Sequence, residues 1–231
     1  MNNLKLMAAA SRELKTPLTA IIANADVISN YVENIDDAKI LAKNIYNDAE
    51  RLAVTIKNLF SLIRLDNADY RAKIQFQTMN LTRIIREAIA LCRVRITANQ
   101  QELIYDSTND CLIQSVPKLL RQVLVNLVDN AAKYSPRGSK IVVDVFCDKE
   151  FAYVSIADNG AGILECDFKR IFDSFYRADK VRALAIAGDG LGLTITKKIV
   201  DVLNGEISLQ SVVDEGTTFT VKLPLNHLTT T

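Results

Sequence analysis

Histidine is almost missing from the chain: His227, near a polar terminus, is the only one in 231 residues. Neither a histidine-based metal centre nor a Ser-His-Asp triad is therefore expected. Four cysteines, Cys92, Cys111, Cys147 and Cys166, lie far apart with no CxxC spacing, and are read as reduced thiols of a cytosolic protein. Neither sign of charge dominates. With 28 Lys and Arg against 27 Asp and Glu, the net charge of +1 creates no field to gather nucleic acid or an anionic membrane surface. No stretch approaches the roughly 20 apolar residues of a membrane span, so no direct membrane insertion is expected. The start, MNNLKLMAAASRE, lacks the layout of a signal peptide. Apolar residues at 49% and charged residues at 24% fit a folded globular chain.

Glycine and proline are unevenly placed. Residues 1–66 contain no glycine and only Pro17, whereas all eight glycines follow. The shift predicts a helical N-terminal unit, 1–70, and a mixed C-terminal one, 71–231. In the first unit an apolar seam steps by threes and fours from Leu4 through Met7, Ser11, Leu14, Leu18, Ile21, Ala25 and Ile28 to Val32. A second runs Ala38, Leu41, Ile45, Asp48, Leu52, Thr55, Leu59, Leu62, widened by Ile56, Phe60 and Ile63. The polar "ENIDD" between them predicts an antiparallel hairpin. Two helices enclose little core, so the spare apolar width predicts a homodimeric four-helix bundle.

From Leu81 onward the pattern alternates between types. "LTRIIREAIALCRVRITAN" and "PKLLRQVLVNLVDNAAKYS" read as amphipathic helices, the second opened by Pro117. "QELIYDS" and "DCLIQSV" read as short strands, "KIVVDVFCD" and "FAYVSIAD" as a pair joined at "KE". "GLGLTITKKIVDVLNG" is a third helix, and "EISLQSVVDEGTTFTVKLPL" a hairpin turning at "DEG". The sum is an α+β two-layer sandwich.

Three features carry chemistry. Gln122, Asn126, Asn130 and Lys133 align on one helix, where a solvated surface more often selects Glu, Lys or Arg. Asn carbonyls complete Mg²⁺ shells and Lys meets phosphate oxygens. "ADNGAGI" puts Asp158 at a strand end with Gly160 and Gly162 beyond, a carboxylate able to accept from an exocyclic amine beside backbone that approaches a flat ring. "GDGLGLTITKKI" places Gly188, Gly190 and Gly192 before a helix, whose free N–H groups favour phosphate. It is neither a Walker loop nor a Rossmann turn. Singly, each feature also has an ordinary structural explanation.

Their order resembles the ATP-binding domain of sensor histidine kinases, within the wider family of gyrase B, Hsp90 and MutL. "NLVDNAAKYS" matches the N box, "DNGAGI" the G1 box, "FDSFYRAD" the F box and "GDGLGL" the G2 box, over residues 75–225. The hairpin resembles the dimerisation and phosphoacceptor domain of the same enzymes, whose signature is Ser-His-Glu-Leu-(Arg/Lys)-Thr-Pro-Leu-Thr. Here it reads Ser11-Arg12-Glu13-Leu14-Lys15-Thr16-Pro17-Leu18-Thr19. One position departs: Arg12 stands where the acceptor histidine would be.

The resemblance implies ATP and Mg²⁺ as cofactors, autophosphorylation on histidine, and transfer to an aspartate of a response-regulator receiver domain. It implies Glu13 as general base, and Thr16 as the residue orienting water against a phospho-aspartate. Asn130 would coordinate Mg²⁺, Asn126 and Lys133 meet phosphate or metal, and Tyr134 lie against adenine or ribose. Asp158 would bind the adenine amine with Thr218, while Gly160 and Gly162 shape the base pocket. Gly188, Gly190 and Gly192 with Leu191 would close over the triphosphate, "RADKVRALAIAG" would form a lid, and Arg177 would reach the γ-phosphate. Arg12 and Thr16 share a solvent-facing flank, and Pro17 should bend the helix there. A guanidinium stays protonated and is a poor nucleophile, so autophosphorylation should be blocked while phosphatase action, which uses water, survives. Either the acceptor was replaced to hold a defined state, or this is a degenerate kinase acting as an ATP-sensing dimeric scaffold. The chain is expected to be the cytoplasmic core of a sensor, cut from a longer receptor.

Overall fold

In the computed structural model the described residues are 3–31, 34–106, 111–179 and 188–226, with side chains described from Met7 onward. His227, Val32, the Leu4 side chain and residues 180–187 of the expected lid lie outside them.

Helix α1 (Asn3–Tyr31) runs through Pro17, whose ring leaves the Glu13 carbonyl without its helical donor. Helix α2 (Ile35–Asp66) begins at Asn34, whose side chain accepts from the N–H groups of Asp36 and Asp37; both aspartates suit the positive helix end. The two helices pack as a hairpin. The expected α2 seam is the covered one, from Ala38 to Leu62. On α1 the covered face is offset: Ala10, Leu14, Pro17, Ile21, Asn24 and Ile28 turn toward α2, while Ser11, Leu18 and Ala25 are exposed. α1 is apolar on more than one face, so its sequence alone admits two seams. The unused one leaves Met7, Leu18 and Ile22 exposed, as α2 leaves Val54, Phe60 and Ile63.

After a short helix α3 (Ala68–Ala72) come β1 (Gln77–Asn80), α4 (Leu81–Ala98), β2 (Glu102–Ile104), β3 (Leu112–Ser115) and α5 (Pro117–Tyr134). Then follow β4 (Lys140–Cys147), β5 (Phe151–Asp158), two 3-10 turns at Glu165–Asp167 and Arg170–Phe172, α6 (Gly192–Val202), β6 (Glu206–Val212) and β7 (Gly216–Pro224). Five strands form one sheet in the order β2-β4-β5-β7-β6; β2 and β4 pair in parallel, the other neighbours antiparallel. β1 and β3 make a separate antiparallel ladder. Ile141, Val143, Ala152, Val154, Ile156, Phe219, Val221 and Leu223 point under the helices and are buried, meeting Leu120, Leu124 and Leu127 of α5 and Ile199 of α6 in one core. Strict alternation leaves the other sheet face open, with Phe146 and Tyr153 in ring contact there.

Cys111 and Cys147 form a disulfide, which corrects the expectation of four reduced thiols. The residue before β3 and the last residue of β4 are brought together by the fold, and a separation of 36 residues hides that from the sequence. Cys92 stays a buried thiol pushed up to about 11, chiefly by burial.

The hairpin seats on the sandwich through α2 and α6. Near the end of α2, Leu62 and Leu65 are buried in the core cluster that continues into the sandwich, each contributing about 1.5–3 kcal/mol, beside the ion pair Asp66–Lys198. An isolated surface ion pair contributes about 1 kcal/mol or less, so the leucines dominate the docking.

Candidate functional site

One cleft of about 1400 Å³ opens where α5, the end of β5 and the start of α6 converge, and it continues up to the hairpin. α5 is amphipathic: Leu120, Val123, Leu124, Leu127, Val128 and Ala131 face the sheet. Its polar ridge is half-buried rather than solvated. Asn126, Asn130, Lys133 and Tyr134 line the cleft; Gln122 does not.

Asn126 donates from Nδ2 to the Thr196 hydroxyl at 2.7 Å, stitching α5 to α6. A Cβ on Gly192 would lie 2.6 Å from its amide oxygen, so any larger residue there would displace the Asn126 amide. One turn on, the Asn130 side chain makes no hydrogen bond among the described residues, leaving its carbonyl free for the cleft. Lys133 Nζ stands 4.9 Å from the Tyr134 ring centroid. Burial first, then Arg177 and Arg95, push this ammonium down to about 8, against the pull of Asp129 and Asp189. It is a desolvated cation, short of negative charge.

At the other end of the cleft Asp158 terminates β5. Burial pushes its carboxyl up to about 6, although the N–H groups of Gly160 and Thr217 oppose the shift. Gly160 donates to Oδ1 at 2.8 Å, and a Cβ there would collide with that oxygen and with the Tyr134 carbonyl. Gly160 therefore shapes the wall from behind, whereas Gly162 lines the cleft.

The glycine loop enters α6, whose first turn carries no side-chain cap and no acidic residue. Its free N–H groups, with Gly188, Gly190 and Gly192 around them, suit an anion. Gly190 takes φ +68°, and its carbonyl accepts from Phe175 N–H at 3.0 Å, so the "FDSFYR" segment buttresses the loop. Asp189 spends one oxygen on Leu191 N–H at 3.0 Å and the other on the Asn58 amide of α2 at 2.7 Å. The loop is thereby tied to the hairpin.

Two residues expected at the site, Thr218 and Leu191, lie outside the cleft. Thr218 pairs with Ala157 and faces the open side of the sheet; Thr217 pairs with Asp158, is 6% exposed, and lines the cleft. Phe219, Val221 and Leu223 all face inward, so the alternation already pointed to Thr217. Leu191 is fully buried, anchors the loop to the core and does not line the cleft. Arg177 lies in the cleft. Asp129, Asp189, Arg95 and Asn58 also line the cleft; of these, Asp189 alone carries a signal in the sequence, its place inside "GDG".

From α1, Glu13 and Thr16 line the same cleft, Arg12 does not. The Thr16 hydroxyl donates to the Arg12 carbonyl at 3.3 Å, and Arg12 pairs with Glu13 at 3.5 Å. Such a cleft can hold an elongated ligand, an amine-bearing ring near Asp158 and a polyanion near Lys133 and α6.

Two family models match the chain. Residues 115–227 match the histidine kinase-, DNA gyrase B- and HSP90-like ATPases, and residues 2–68 the His Kinase A (phospho-acceptor) domain. The sensor histidine kinase WalK of Bacillus subtilis is 33% identical over 95% of the chain, which spans only 36% of that relative's length. The fold is similar to the histidine kinase AdeS of Acinetobacter baumannii, with TM-score 0.76 at 23% identity over 93% of this chain and 98% of that one. It is also similar to the histidine kinase ThkA solved in complex with the response regulator protein TrrA, with TM-score 0.76 at 22% identity over 96% of this chain and 61% of that one.

Proposed function

Because the chain belongs to the sensor histidine kinases of two-component systems, joining their phospho-acceptor hairpin to their ATPase domain, we propose that its cleft binds Mg²⁺-ATP and that its hairpin forms a homodimer and receives a response-regulator receiver domain. The observation that carries this reading is the convergence on one cavity of Asn130, Lys133, Asp158 and the uncapped start of α6. The boundary between the two units falls near residue 70.

Asp158 accepts from the adenine amine, with Thr217 beside it in register. Lys133, Arg177 and the α6 N–H groups take the phosphates. Among the described residues no cluster of three or more His, Cys, Asp or Glu forms a metal cage. The free Asn130 carbonyl fits an ion that draws its other ligands from phosphates and water, as Mg²⁺ does. When bound, Mg²⁺ neutralises charge on the phosphoryl group in flight. Equilibrium dialysis with labelled ATP tests the assignment: binding should depend on Mg²⁺ in the parent chain, and that dependence should be lost in Asn130→Ala.

The two shifted groups set a pH window. Binding an amine favours ionised Asp158, so affinity should fall as pH drops below about 6. Binding phosphate favours protonated Lys133, so affinity should fall again as pH rises above about 8. A fluorescent nucleotide titrated from about pH 5 to 9 should trace a bell with its top near neutrality.

Arg12 in the acceptor position supports a chain whose kinase step is blocked; it equally favours a degenerate kinase that senses ATP without turnover. Phosphatase action separates them. A phosphorylated cognate receiver should lose phosphate faster with this chain than with Thr16→Ala, by on the order of tenfold or more; equal rates leave the scaffold reading.

A further inference from the structure

Arg12 is left over from the chemistry described so far: a cation at a position where the family signature would put a nucleophile. Glu13, Thr16 and Pro17, with Ala20 one turn further, form one face of α1, and that face closes the nucleotide cleft of the same chain. Arg12 lies one turn before Thr16, and its guanidinium leans toward this face through Glu13 at 3.5 Å. The pair is exposed, 75% for Arg12 and 40% for Glu13, so it holds the guanidinium only weakly. Small-molecule clefts usually enclose about 300–1,000 Å³. This one, at about 1400 Å³, has room beyond the base and first phosphates, and the spare length runs toward the hairpin. The phosphate-receiving loop is the part that touches the hairpin, Asp189 accepting from the Asn58 amide of α2, so a chain of phosphates running from Lys133 along this loop extends toward the hairpin. Among the described residues, the hairpin side of the lining brings Glu13, Asp48 and Glu50 against Arg51 alone, and Arg51 is already paired with Asp48 at 3.7 Å.

We propose that Arg12 swings from Glu13 onto the terminal phosphate of a nucleoside triphosphate held in its own chain's cleft, so that the hairpin distinguishes triphosphate from diphosphate. This rests on the nucleotide reading above. The arginine then turns an acceptor site into a sensor of the γ-phosphate, closing the hairpin on ATP and releasing it on ADP.

Calorimetry with ADP and a non-hydrolysable ATP analogue, both with Mg²⁺, tests it. The parent should prefer the triphosphate by on the order of tenfold, one charge-assisted contact. Arg12→Ala should erase that preference with ADP affinity unchanged, and Arg12→Lys should keep part of it. An unchanged preference in Arg12→Ala overturns the proposal while leaving ADP binding, and the nucleotide reading, intact; no binding of either nucleotide by the parent overturns both. Mixed dimers pairing an Arg12→Ala chain with an Asp158→Asn chain test the intramolecular claim. Their single competent cleft should behave as Arg12→Ala alone, and full triphosphate preference there would contradict it.

Discussion

Asp158→Asn should abolish nucleotide binding and at the same time make the protein more stable. The carboxyl sits at about 6 against an ordinary 3.8, so the native state holds a proton that the unfolded chain releases between those values. Native stability therefore falls as pH rises from about 4 to 6, and at neutral pH the full cost of the buried charge is present. Two units correspond to about 3 kcal/mol, an upper bound on what Asn recovers. The amide oxygen can still accept from the Gly160 N–H, which meets Oδ1, so that bond need not be lost. For a chain of this length the gain should raise the melting temperature by several degrees. With its oxygen held by the Gly160 N–H, the new NH₂ would point at the adenine amine, donor against donor. Affinity should drop on the order of 100-fold or more, since a site built around one hydrogen bond discriminates strongly when it is broken. Thermal unfolding with and without nucleotide reads both effects: the parent melts lower but responds to nucleotide, whereas the variant melts higher and does not. A variant that melts lower at neutral pH would mean that the carboxylate is stabilising, contrary to its burial.

Arg12→His should convert a chain that takes no label from γ-labelled ATP into one that does. An imidazole there places a nucleophile beside Glu13, which lines the cleft and can take the ring proton as the N–P bond forms and ADP leaves. The label should be acid-labile and alkali-stable, should rise toward one phosphate per chain, and should vanish when Glu13→Gln is added. Label on the parent chain equal to that on the variant would refute the assignment of Arg12 to the acceptor position. The same would follow if the histidine variant bound ATP fully yet took no label.

Much of this architecture was legible before any coordinates. Helices α4, α5 and α6 and the β4–β5 and β6–β7 hairpins announce themselves by period, by Pro117, and by the Asn204-Gly205 stop. The ordered boxes single out Asp158, Asn130 and the glycine loop, which the fold brings to one cleft, because each pairs a residue type with a backbone need that few other sites share. What escaped was relational. The α1 seam is only partly legible, Leu14, Ile21 and Ile28 being covered but Ser11, Leu18 and Ala25 not, because Ala9, Ala10, Ile21 and Ile22 make several faces apolar and only contact with α2 selects one. Thr217 and Thr218 are identical in type, so the choice between them depends on strand register. Leu191 sits among the glycines of the loop yet serves the core. The Cys111–Cys147 bond and the tie from Asn58 to Asp189 join segments far apart in sequence, where spacing carries no signal.

The central claim is that the Asn130–Lys133 ridge and the glycine entry to α6 hold one magnesium-bearing nucleotide between them. Titrating the chain with a non-hydrolysable ATP analogue and Mg²⁺ in a calorimeter tests this directly. The account predicts heat that saturates at one nucleotide per chain and that both Lys133→Ala and Gly188→Ala greatly weaken. No heat from the parent, or the same binding curve in both variants, would contradict it.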